Sequence, residues 1–519
     1  MNEKPDFVKN FDRPRGTEIK CINGHWYLYE RLSVYDPVAK KKRKKSGKIL
    51  GTITPGGLVP SRRQSPLARV DPADIENREL GATALLYLLT GWMRERLGEE
   101  FPDCWKEIYA LAMAKCRDNS PLKRADFHTS TSALDLALGP LHLSAGRCTE
   151  LLRRVGSGRG AIRRYMLGDS PRGGSILVDG HRIISASKSL EYARKGYDSR
   201  LRFLPQVNLM YIFSGADGGS RLPLFYKQFP GNIPDVTAFG EAVEESGLGG
   251  AGLTAVGDKG MDSALNEDLL EEAGLRYVLA VRRNCVGGAI PSSPGEYPGA
   301  FAFRERAIRF CRIPGETSDT YLYYDMSLAN SEAADLILRA EKENAARELR
   351  IAAEERRREK GKGTLSDREL EELRPRDVAD VLRERQSIGT VALRTNRKDL
   401  GGKEIYSIYK ARQEIEQSFK FYDNNLTGDA SYIQDEHSFE GWLFVNHLAL
   451  QMLYSVIGLV AEKRLTDRYS FGDVMSLLKE VRMNKISGVW GLSKTTKKTA
   501  ALCKKLDLDL EKLQSFLAT

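Results

Sequence analysis

Two aspartates at the ends of apolar, strand-like runs are the first residues of this chain whose type and position suit chemistry. Asp179 follows "ILV", and Asp258 follows "LTAVG". A glycine comes one or two residues later in each case, and Asp-Gly is a favoured turn pair, so a purely structural role is the alternative for either residue alone. A carboxylate at the end of a buried strand nevertheless stands on a rigid element at a solvent edge, which suits a metal site.

A third acid comes from the segment "YKARQEIEQSFKFYDNN", which holds both Glu414 and Glu416. Drawn as a helix, the segment has an apolar stripe at spacings of three and four residues, as a core-facing helix does. This stripe consists of Ile408, Ala411, Ile415, Phe419 and Tyr422. Both glutamates lie at its edge, so periodicity does not choose between them. Glu416 has Arg412 and Lys420 four residues to either side, which indicates either ordinary ion pairs on a solvated face or a surface that meets phosphate.

Three carboxylates of this kind suffice to bind two divalent metal ions. Hard cations prefer oxygen ligands, and Mg²⁺ takes one or two carboxylates per ion while it keeps waters and substrate phosphates. Two ions about 3.5–4 Å apart activate a water or a 3′-hydroxyl and stabilise the leaving oxygen of an in-line phosphodiester displacement. The chemistry that these acids predict is therefore cleavage or transfer of a phosphodiester.

The overall charge favours a polyanionic partner. The chain has 519 residues, which is enough for about three or four domains of roughly 100–200 residues each. Its 80 Lys and Arg against 70 Asp and Glu leave a net charge of +10, and the pI is near 9.0. Such a balance indicates binding to a polyanion, although it says nothing about the fold. Nucleic acid is the leading candidate.

Cysteine usage and the start of the chain indicate a reducing cytoplasm. The seven cysteines are scattered and never spaced as CxxC, so neither a disulfide framework nor a structural zinc site is indicated. The start, "MNEKPDFVKNFDRPRG", lacks the apolar region of a signal peptide. The apolar stretch "GWLFVNHLALQMLYSVIGLVA" is long enough for a membrane span, but its Asn446, His447 and Gln451 favour a long buried core helix. We therefore expect a cytoplasmic protein without membrane contact.

A basic run near the N-terminus is a second candidate surface for nucleic acid. The run at 40–45 stands between β-forming segments of the region 17–53, which predicts a small β-hairpin module. It predicts either a phosphate-binding tip or merely a solvated turn. The residues of interest in it are Lys41, Lys42, Arg43 and Lys44.

Composition changes along the chain predict its organisation. Residues 54–72, rich in Pro, Gly, Ser and Arg, are expected to form a linker, and the basic, periodic region 73–167 is expected to be helical. "GSGRG" within it follows no strand and lacks the Lys-Ser/Thr of a P-loop, so we expect a loop there. An α/β region follows, with three strands before its first helix. The polar region 332–388 predicts a helical insertion, and the chain after 437 is expected to be helical to its end.

Three motifs together resemble those of a known family. "ILVDGHRI", "VGDKGM" and "YKARQEIE", in this order and with "LPLFYKQFPGNIPDV" between the first two, resemble the DDE transposases of bacterial insertion sequences, in the insertion-sequence-4 superfamily. The resemblance covers about 170–460. It implies the α/β fold class, with an RNase H-like mixed-sheet catalytic core that carries a β-rich and helical insertion and is flanked by a small N-terminal β module and helical domains.

The family carries the signature Tyr-x2-Arg-x3-Glu-x6-Lys on the helix with the last acid, and this signature selects one glutamate. Tyr409, Arg412 and Glu416 match its spacing, so the resemblance favours Glu416. The lysine of the signature falls on Asp423 and is absent, and Lys420, one turn earlier, is the expected substitute. The resemblance implies that Tyr409, Arg412 and Lys420 hold the DNA near the scissile phosphate.

The resemblance implies the catalytic residues and the cofactor as well. Asp179, Asp258 and Glu416 are expected to be the catalytic acids and the ligands of two Mg²⁺ or Mn²⁺ ions per active site. The implied partner is double-stranded DNA, both transposon ends and target, bound by a homodimer in a bacterial cytoplasm at the nucleoid. The implied reaction is cleavage of the transposon ends and strand transfer into target DNA.

The expected domains, in chain order, are 1–72 for the β-rich module and linker, 73–167 for a helical DNA-binding domain, 168–289 for the first part of the catalytic core, 290–400 for the insertion, 401–460 for the last part of the core and 461–519 for a C-terminal helical region.

Two alternative functions remain open. One is a catalytically inactive, transposon-derived DNA-binding protein, and the other is an RNase H-like nuclease that hydrolyses DNA without joining it.

Overall fold

The computed structural model of the chain describes residues 4–36, 41–61, 74–168, 173–197, 203–215, 222–250, 252–383, 387–412, 430–509 and 512. Its strands, numbered in chain order, are β1 (Thr17–Ile22), β2 (His25–Asp36), β3 (Lys41–Thr54), β4 (Gly57–Pro60), β5 (Glu76–Glu79), β6 (Gly174–Ser185), β7 (Arg194–Tyr197), β8 (Phe203–Ser214), β9 (Pro223–Pro230), β10 (Leu253–Gly257), β11 (Arg276–Val281), β12 (Gly299–Phe303), β13 (Arg306–Ile313), β14 (Asp319–Asp325), β15 (Thr390–Thr395), β16 (Ala430–Ser431), β17 (Arg482–Ile486) and β18 (Val489–Leu492).

The helices, numbered in the same way, are α1 (Asp6–Lys9), α2 (Gly81–Leu89), α3 (Gly91–Glu100), α4 (Trp105–Asp118), α5 (Ala125–Ser130), α6 (Leu134–Leu138), α7 (Ala145–Ser157), α8 (Arg159–Leu167), α9 (Asp235–Ser246), α10 (Ala264–Glu272), α11 (Met326–Glu359), α12 (Asp367–Glu372), α13 (Val378–Arg383), α14 (Gly402–Ala411), α15 (Glu436–Glu462), α16 (Phe471–Leu478) and α17 (Lys497–Lys505). Short 3-10 helices cover Leu122–Arg124, Arg283–Cys285, Gly287–Ala289 and Pro294–Glu296.

The N-terminal residues form an antiparallel sheet of their own. β1, β2, β3 and β4 pair in chain order, and their small core consists of Val8, Trp26, Leu28 and Ile53. The prediction that the linker begins at residue 54 is wrong, because β4 still belongs to this sheet. Gly57 adopts a φ of 108°, which favours glycine, and the chain returns there to pair with the end of β3.

The central sheet contains the predicted RNase H-like core. β6, β8 and β9 form an antiparallel meander, and β10 and β11 lie on the other side of β6 and run parallel to it. The order across the sheet is β9-β8-β6-β10-β11, with the short β7 paired to the beginning of β8. β10 is buried along its whole length and β8 along most of its length, as strands covered on both faces are. The predicted fold class is confirmed.

The chain between β11 and β15 extends this sheet. β15 pairs antiparallel with β11, and β14, β13 and β12 follow it outward. A polar helical segment connects β14 to β15, as the composition of 332–388 predicts. It opens with α11, which has 34 residues and an N-cap, Asp325, whose side chain accepts from the amides of Ser327 and Leu328. At roughly 1.5 Å per residue, α11 is about 50 Å long.

Helices cover both faces of the sheet at β6. On one face of β6, Asp179 contacts Arg412, which follows α14. On the other face, Gly180 lies against α9, since a Cβ added to it would be 3.5 Å from Oδ1 of Asp235. Successive residues of a strand point to opposite faces. α14 and α9 therefore lie on opposite faces of β6, and α10 packs beside α9.

The long helix α15 is a core element, as predicted. It is long and apolar enough to cross a membrane, but 78% of its most apolar window is buried inside the protein. It crosses α7 at Gly441 and Gly156, where an added Cβ would lie 2.0 Å from the carbonyl oxygen of Leu152 and 1.8 Å from that of His437, respectively. The expectation of a loop at "GSGRG" is therefore wrong. Gly156 lies in α7, where only glycine permits the close crossing with α15, and Gly158 joins α7 to α8.

One buried carboxylate joins three parts of this core. Glu440 of α15 accepts hydrogen bonds from Arg159 of α8 at 2.6 Å, and from Tyr226 and Gln228 of β9 at 2.8 Å each. Burial alone would lower the pKa of Arg159, but the charges of Glu440 and Glu245 outweigh it, so the pKa is raised. The helical region before the sheet is therefore tied to the central sheet and α15 by an ion pair.

The C-terminal region is not helical throughout. β17 and β18 form a hairpin, and β17 also pairs with β5, which lies in the region predicted to be helical at 73–167. The hairpin loop consists of Ser487 and Gly488, with φ values of 51° and 85°. Two successive residues with positive φ are typical of the tight turn that matches strand twist. The prediction of an all-helical end is therefore wrong.

Candidate active site

The register of two parallel strands brings Asp179 and Asp258 to the same level. Leu177 of β6 pairs with Val256 of β10. Each aspartate lies two residues beyond its member of this pair, on the carboxyl side. Because the side-chain period of a strand is two, Asp179 continues the face on which Leu177 stands, while Asp258 comes directly after the last residue of β10. The carboxyl end of β10 thus brings Asp258 beside the middle of β6, where Asp179 stands.

Asp258 stands in the turn that follows β10. The amide of Met261 donates to the carbonyl oxygen of Asp258 at 2.9 Å and closes the turn. Gly257 precedes it in a tight place, since an added Cβ would lie 2.9 Å from the Leu279 side chain. The Asp258 side chain is 35% exposed, against 15% for Asp179. The turn therefore leaves Asp258 open to solvent, while the strand encloses Asp179 more closely.

A single arginine connects the two aspartates. Arg412 follows the last residue of α14, and its Nη1 lies 3.0 Å from Oδ2 of Asp179 while its Nη2 lies 3.4 Å from Oδ1 of Asp258. The Arg412 side chain is only 7% exposed. A charge this buried requires partners of opposite sign, and the two carboxylates supply them. The site is thus a carboxylate pair held on one guanidinium.

Packing of α14 fixes the place of this arginine. Ile405 and Tyr406 are fully buried in the cluster formed with β13, β14 and β15, and Tyr323 donates to the carbonyl oxygen of Gly402 at 2.8 Å. The guanidinium of Arg412 also lies 5.8 Å from the ring centre of Tyr409, within the range of a cation–π contact. The strands β13, β14 and β15 therefore support the helix that carries Tyr409 and that ends just before Arg412.

Comparison with known proteins assigns the chain to a family. The model of a transposase DDE domain matches residues 173–452, which is more than half of the chain. The chain belongs to the transposase DDE domain family. No curated protein sequence matches the chain. Among solved structures, it is similar to a piggyBac transposase in a synaptic complex with hairpin DNA, at 11% identity and a TM-score of 0.39, with 77% of this chain and 80% of that chain covered.

The structure brings part of the predicted set of the DDE domain together. Asp179, Asp258, Tyr409 and Arg412 meet beside the middle of β6, the carboxyl end of β10 and the last turn of α14. The expectation that Asp179 ends its strand is wrong, because β6 continues to Ser185. The predicted third acid, Glu416, and the predicted DNA contact Lys420 lie outside the described residues, as do Glu414 and Asp423. The basic residues of the N-terminal run stand in another sheet, on β3, and all are exposed; they are Lys41, Lys42, Arg43 and Lys44.

The donor set fits a hard divalent cation. Members of the DDE family generally use divalent metal ions, and both described acids offer carboxylate oxygens, which Mg²⁺ and Mn²⁺ prefer. The guanidinium between them shows that this place favours positive charge. Among the described residues, no group of three His, Cys, Asp or Glu is placed to hold a metal. The two aspartates supply two of the three acids that the sequence predicts for the metal ions.

Sequence reasoning missed the contact between Arg412 and the acids. Its spacing predicted a DNA contact, and that role stays a prediction, but the described geometry turns its side chain toward Asp179 and Asp258. A hint was present in the segment itself, because an arginine beside the apolar stripe of a helix often needs a buried acid as partner.

Sequence reasoning also missed a cleft of about 660 Å³ that begins beside Asp258 at Lys259. Arg283 stands in its wall and donates to both carboxylate oxygens of Glu332, at 2.9 and 2.7 Å. These two residues come from distant segments, one after β11 and the other in α11. Nothing in the local sequence joins them. The cleft places cationic and polar groups next to the candidate active site.

Proposed function

We propose that this chain is the transposase of a bacterial insertion sequence, of the insertion-sequence-4 superfamily, that cuts DNA at the ends of its element and joins them to a target. The observation that carries the proposal is the meeting of Asp179, within β6, and Asp258, just past the carboxyl end of the adjacent parallel strand β10, on one guanidinium. The net charge of +10 supports a polyanionic substrate, and membership of the DDE family supports the reaction class.

Asp179, Asp258 and Glu416 are the residues that would hold the metal ions, two Mg²⁺ or Mn²⁺ per site. Bound there, the ions would supply the Lewis acidity that activates the attacking oxygen and stabilises the leaving oxygen. The protein itself contributes position. β6 and β10 fix the separation of the two aspartates through their ladder, and α14 fixes Arg412 against them. A site on strands and a helix holds its geometry better than one on loops.

The reaction has two steps in this proposal. In the first, a water loses a proton and its oxygen attacks the phosphorus at the element's end. The bond from phosphorus to the 3′-oxygen breaks, and that oxygen takes a proton and leaves as a 3′-hydroxyl. In the second, this 3′-hydroxyl loses its proton and attacks a phosphorus of the target, where the target's own 3′-oxygen leaves and is protonated. One phosphodiester forms for each one broken in this step, so joining needs no external energy source.

One tyrosine and two cationic residues would hold the DNA strands. Tyr409, Arg412 and Lys420 are proposed to hold the end strand near the scissile phosphate. The proposal further includes a homodimer that holds two element ends, a helical DNA-binding domain at 73–167, and a nucleoid-associated place in the cytoplasm. Lysine and arginine act here mainly through phosphate contacts, which position DNA without reading its sequence.

The test uses duplexes that carry the inverted repeats flanking this gene, together with a supercoiled target plasmid and Mg²⁺. We expect nicks at the repeat ends and covalent joining to the plasmid, and we expect neither with Asp179→Asn. Product mapping on a sequencing gel gives the position of each cut, and plasmid recovery gives the joints.

The two alternative functions give different products in the same assay. A nuclease would release cut ends without any joined plasmid. A decayed, DNA-binding relative would shift the repeat duplex in a gel and leave it uncut with either metal. Either result, obtained with protein that binds the repeats and is folded by circular dichroism, would overturn the proposal.

A further inference from the structure

β2 and β3 continue beyond the body of the N-terminal sheet as a two-stranded ribbon. β1 covers β2 only as far as Glu30, and β4 covers β3 only from Gly51 onward. Residues 31–36 and 41–46 form the ribbon, and in the described strands they pair only with one another. Their six residue pairs, at about 3.3 Å per residue, make the ribbon roughly 20 Å long.

The ribbon is strongly cationic. It carries six basic residues against one acid, Asp36. The basic residues are Arg31, Lys41, Lys42, Arg43, Lys44 and Lys45. All five on β3 are exposed. A strand of five successive exposed cations is a poor edge for pairing with another strand, so a second ribbon of the same charge is excluded as its partner.

The two faces of the ribbon differ in chemistry. Leu32 stands opposite Lys45, and Val34 stands opposite Arg43, so these four side chains share one face. Leu32 and Val34 are each 47% exposed. The other face carries Lys42 and Lys44, with Ser33 opposite the latter. One face is therefore apolar along one strand and cationic along the other, while its reverse is polar and cationic.

We propose that this ribbon inserts into the major groove of duplex DNA with the Leu32 and Val34 face toward the bases. The major groove, about 12 Å wide, admits a two-stranded β-ribbon. In this orientation Leu32 and Val34 contact thymine methyl groups, which only this groove presents. Arg43 and Lys45 contact phosphates on the same side, and the cations of the reverse face lie at the open side of the groove, farther from the phosphates.

The choice of duplex DNA rests on the proposed function and on the distribution of charge. An anionic membrane would also attract the cations, but membrane-bound faces need a broad apolar surface, and here two apolar residues share their face with three cations, Lys41, Arg43 and Lys45. A single strand would be held by several stacked aromatic residues, whereas residues 31–36 and 41–46 contain one aromatic residue, Tyr35. A grooved, double-stranded polyanion fits both faces.

The test measures binding of the full chain to a labelled 30-base-pair duplex of the element's end, without divalent metal. Two double variants remove the same charge from opposite faces: Arg43→Ala with Lys45→Ala, and Lys42→Ala with Lys44→Ala. We expect about a tenfold loss of affinity for the first and less than threefold for the second. The first should also lower the slope of log affinity against log salt by about 1.8, at roughly 0.9 per phosphate contact.

A second measurement reads the groove directly. Replacing thymine by uracil removes only the major-groove methyl groups, and we expect it to weaken binding of the parent chain about threefold. The variant Leu32→Ser with Val34→Ser should bind both duplexes equally. Equal losses from both charge pairs together with no response to uracil would overturn the proposal, and so would tighter binding of the ribbon to anionic vesicles than to DNA. Because no metal is present, failure of strand cleavage leaves this result unaffected.

Discussion

Arg412 and Asp179 form an ion pair of 3.0 Å although 233 residues separate them in sequence. The same guanidinium reaches Asp258 at 3.4 Å. A positive charge between two carboxylates offsets their mutual repulsion. A divalent ion on the same carboxylates meets this guanidinium as a like charge. Arg412 thus supports the acids without metal and competes with the metal for them.

Arg412→Gln should therefore bind Mn²⁺ more tightly than the parent chain and be less stable without it. We expect about a tenfold gain in affinity, or roughly 1.4 kcal/mol, measured by isothermal titration calorimetry, and a lower midpoint of thermal unfolding in metal-free buffer. Arg412→Lys keeps the charge and serves as the control with near-parental affinity. Weaker Mn²⁺ binding in the glutamine variant would show that the arginine prepares the site for metal instead of competing.

Asp258→Asn should abolish strand cleavage while end binding stays within about twofold. The change removes a charged metal ligand but leaves the cations that set DNA affinity in place. Gel-shift and cleavage assays on the same end duplex provide the two readings. Asp268→Asn makes the same charge change at an exposed position of α10 and should be active. Retained cleavage by the Asp258 variant removes this residue from the catalytic set.

Glu416→Gln should be inactive in cleavage, and Glu414→Gln should keep nearly parental activity. Only Glu416 stands at the spacing of the family signature from Tyr409 and Arg412. The two variants are a matched pair, since they lie two residues apart and lose the same charge. Cleavage rates at saturating Mg²⁺ decide between them. If both lose activity equally, either both bind metal or the signature has been aligned wrongly.

Arg159→Ala should destabilise the protein by about 2 kcal/mol, because it leaves the buried Glu440 without its charged donor. Tyr226 and Gln228 remain as neutral partners. Urea denaturation followed by circular dichroism measures the loss. Arg163→Ala, one helical turn on and exposed, is the control. An unchanged midpoint would mean that water replaces the guanidinium at no cost.

The strands of the core could be predicted because each carries its own signal. β8 and β10 are nearly continuous apolar runs, and such runs with turn residues at their ends indicate buried strands. Asp179 and Asp258 were singled out for the same reason, as acids that end such runs. Local pattern was sufficient here because burial on both faces leaves little room for polar residues.

Features that depend on partners far along the chain could not be predicted in this way. β5 is a polar tetrapeptide that becomes a strand only because β17 pairs with it. The level shared by Asp179 and Asp258 depends on the pairing of Leu177 with Val256, which no local pattern encodes. For the same reason the sequence assigned Arg412 to DNA and left its contact with the acids unseen.

The helical segment between β14 and β15 leaves the sheet and returns to it at neighbouring residues. The amide of Asp325, at the end of β14, donates to the carbonyl oxygen of Gly389, just before β15, at 3.0 Å, and Gly389 in turn donates to Glu332. Between these two hydrogen-bonded ends, the chain extends along α11 and returns through α12 and α13. A segment with adjacent ends can be shortened or exchanged without moving the strands that flank it. For protein engineering, the distal end of α11 is thus a suitable graft point for a fluorescent or targeting module.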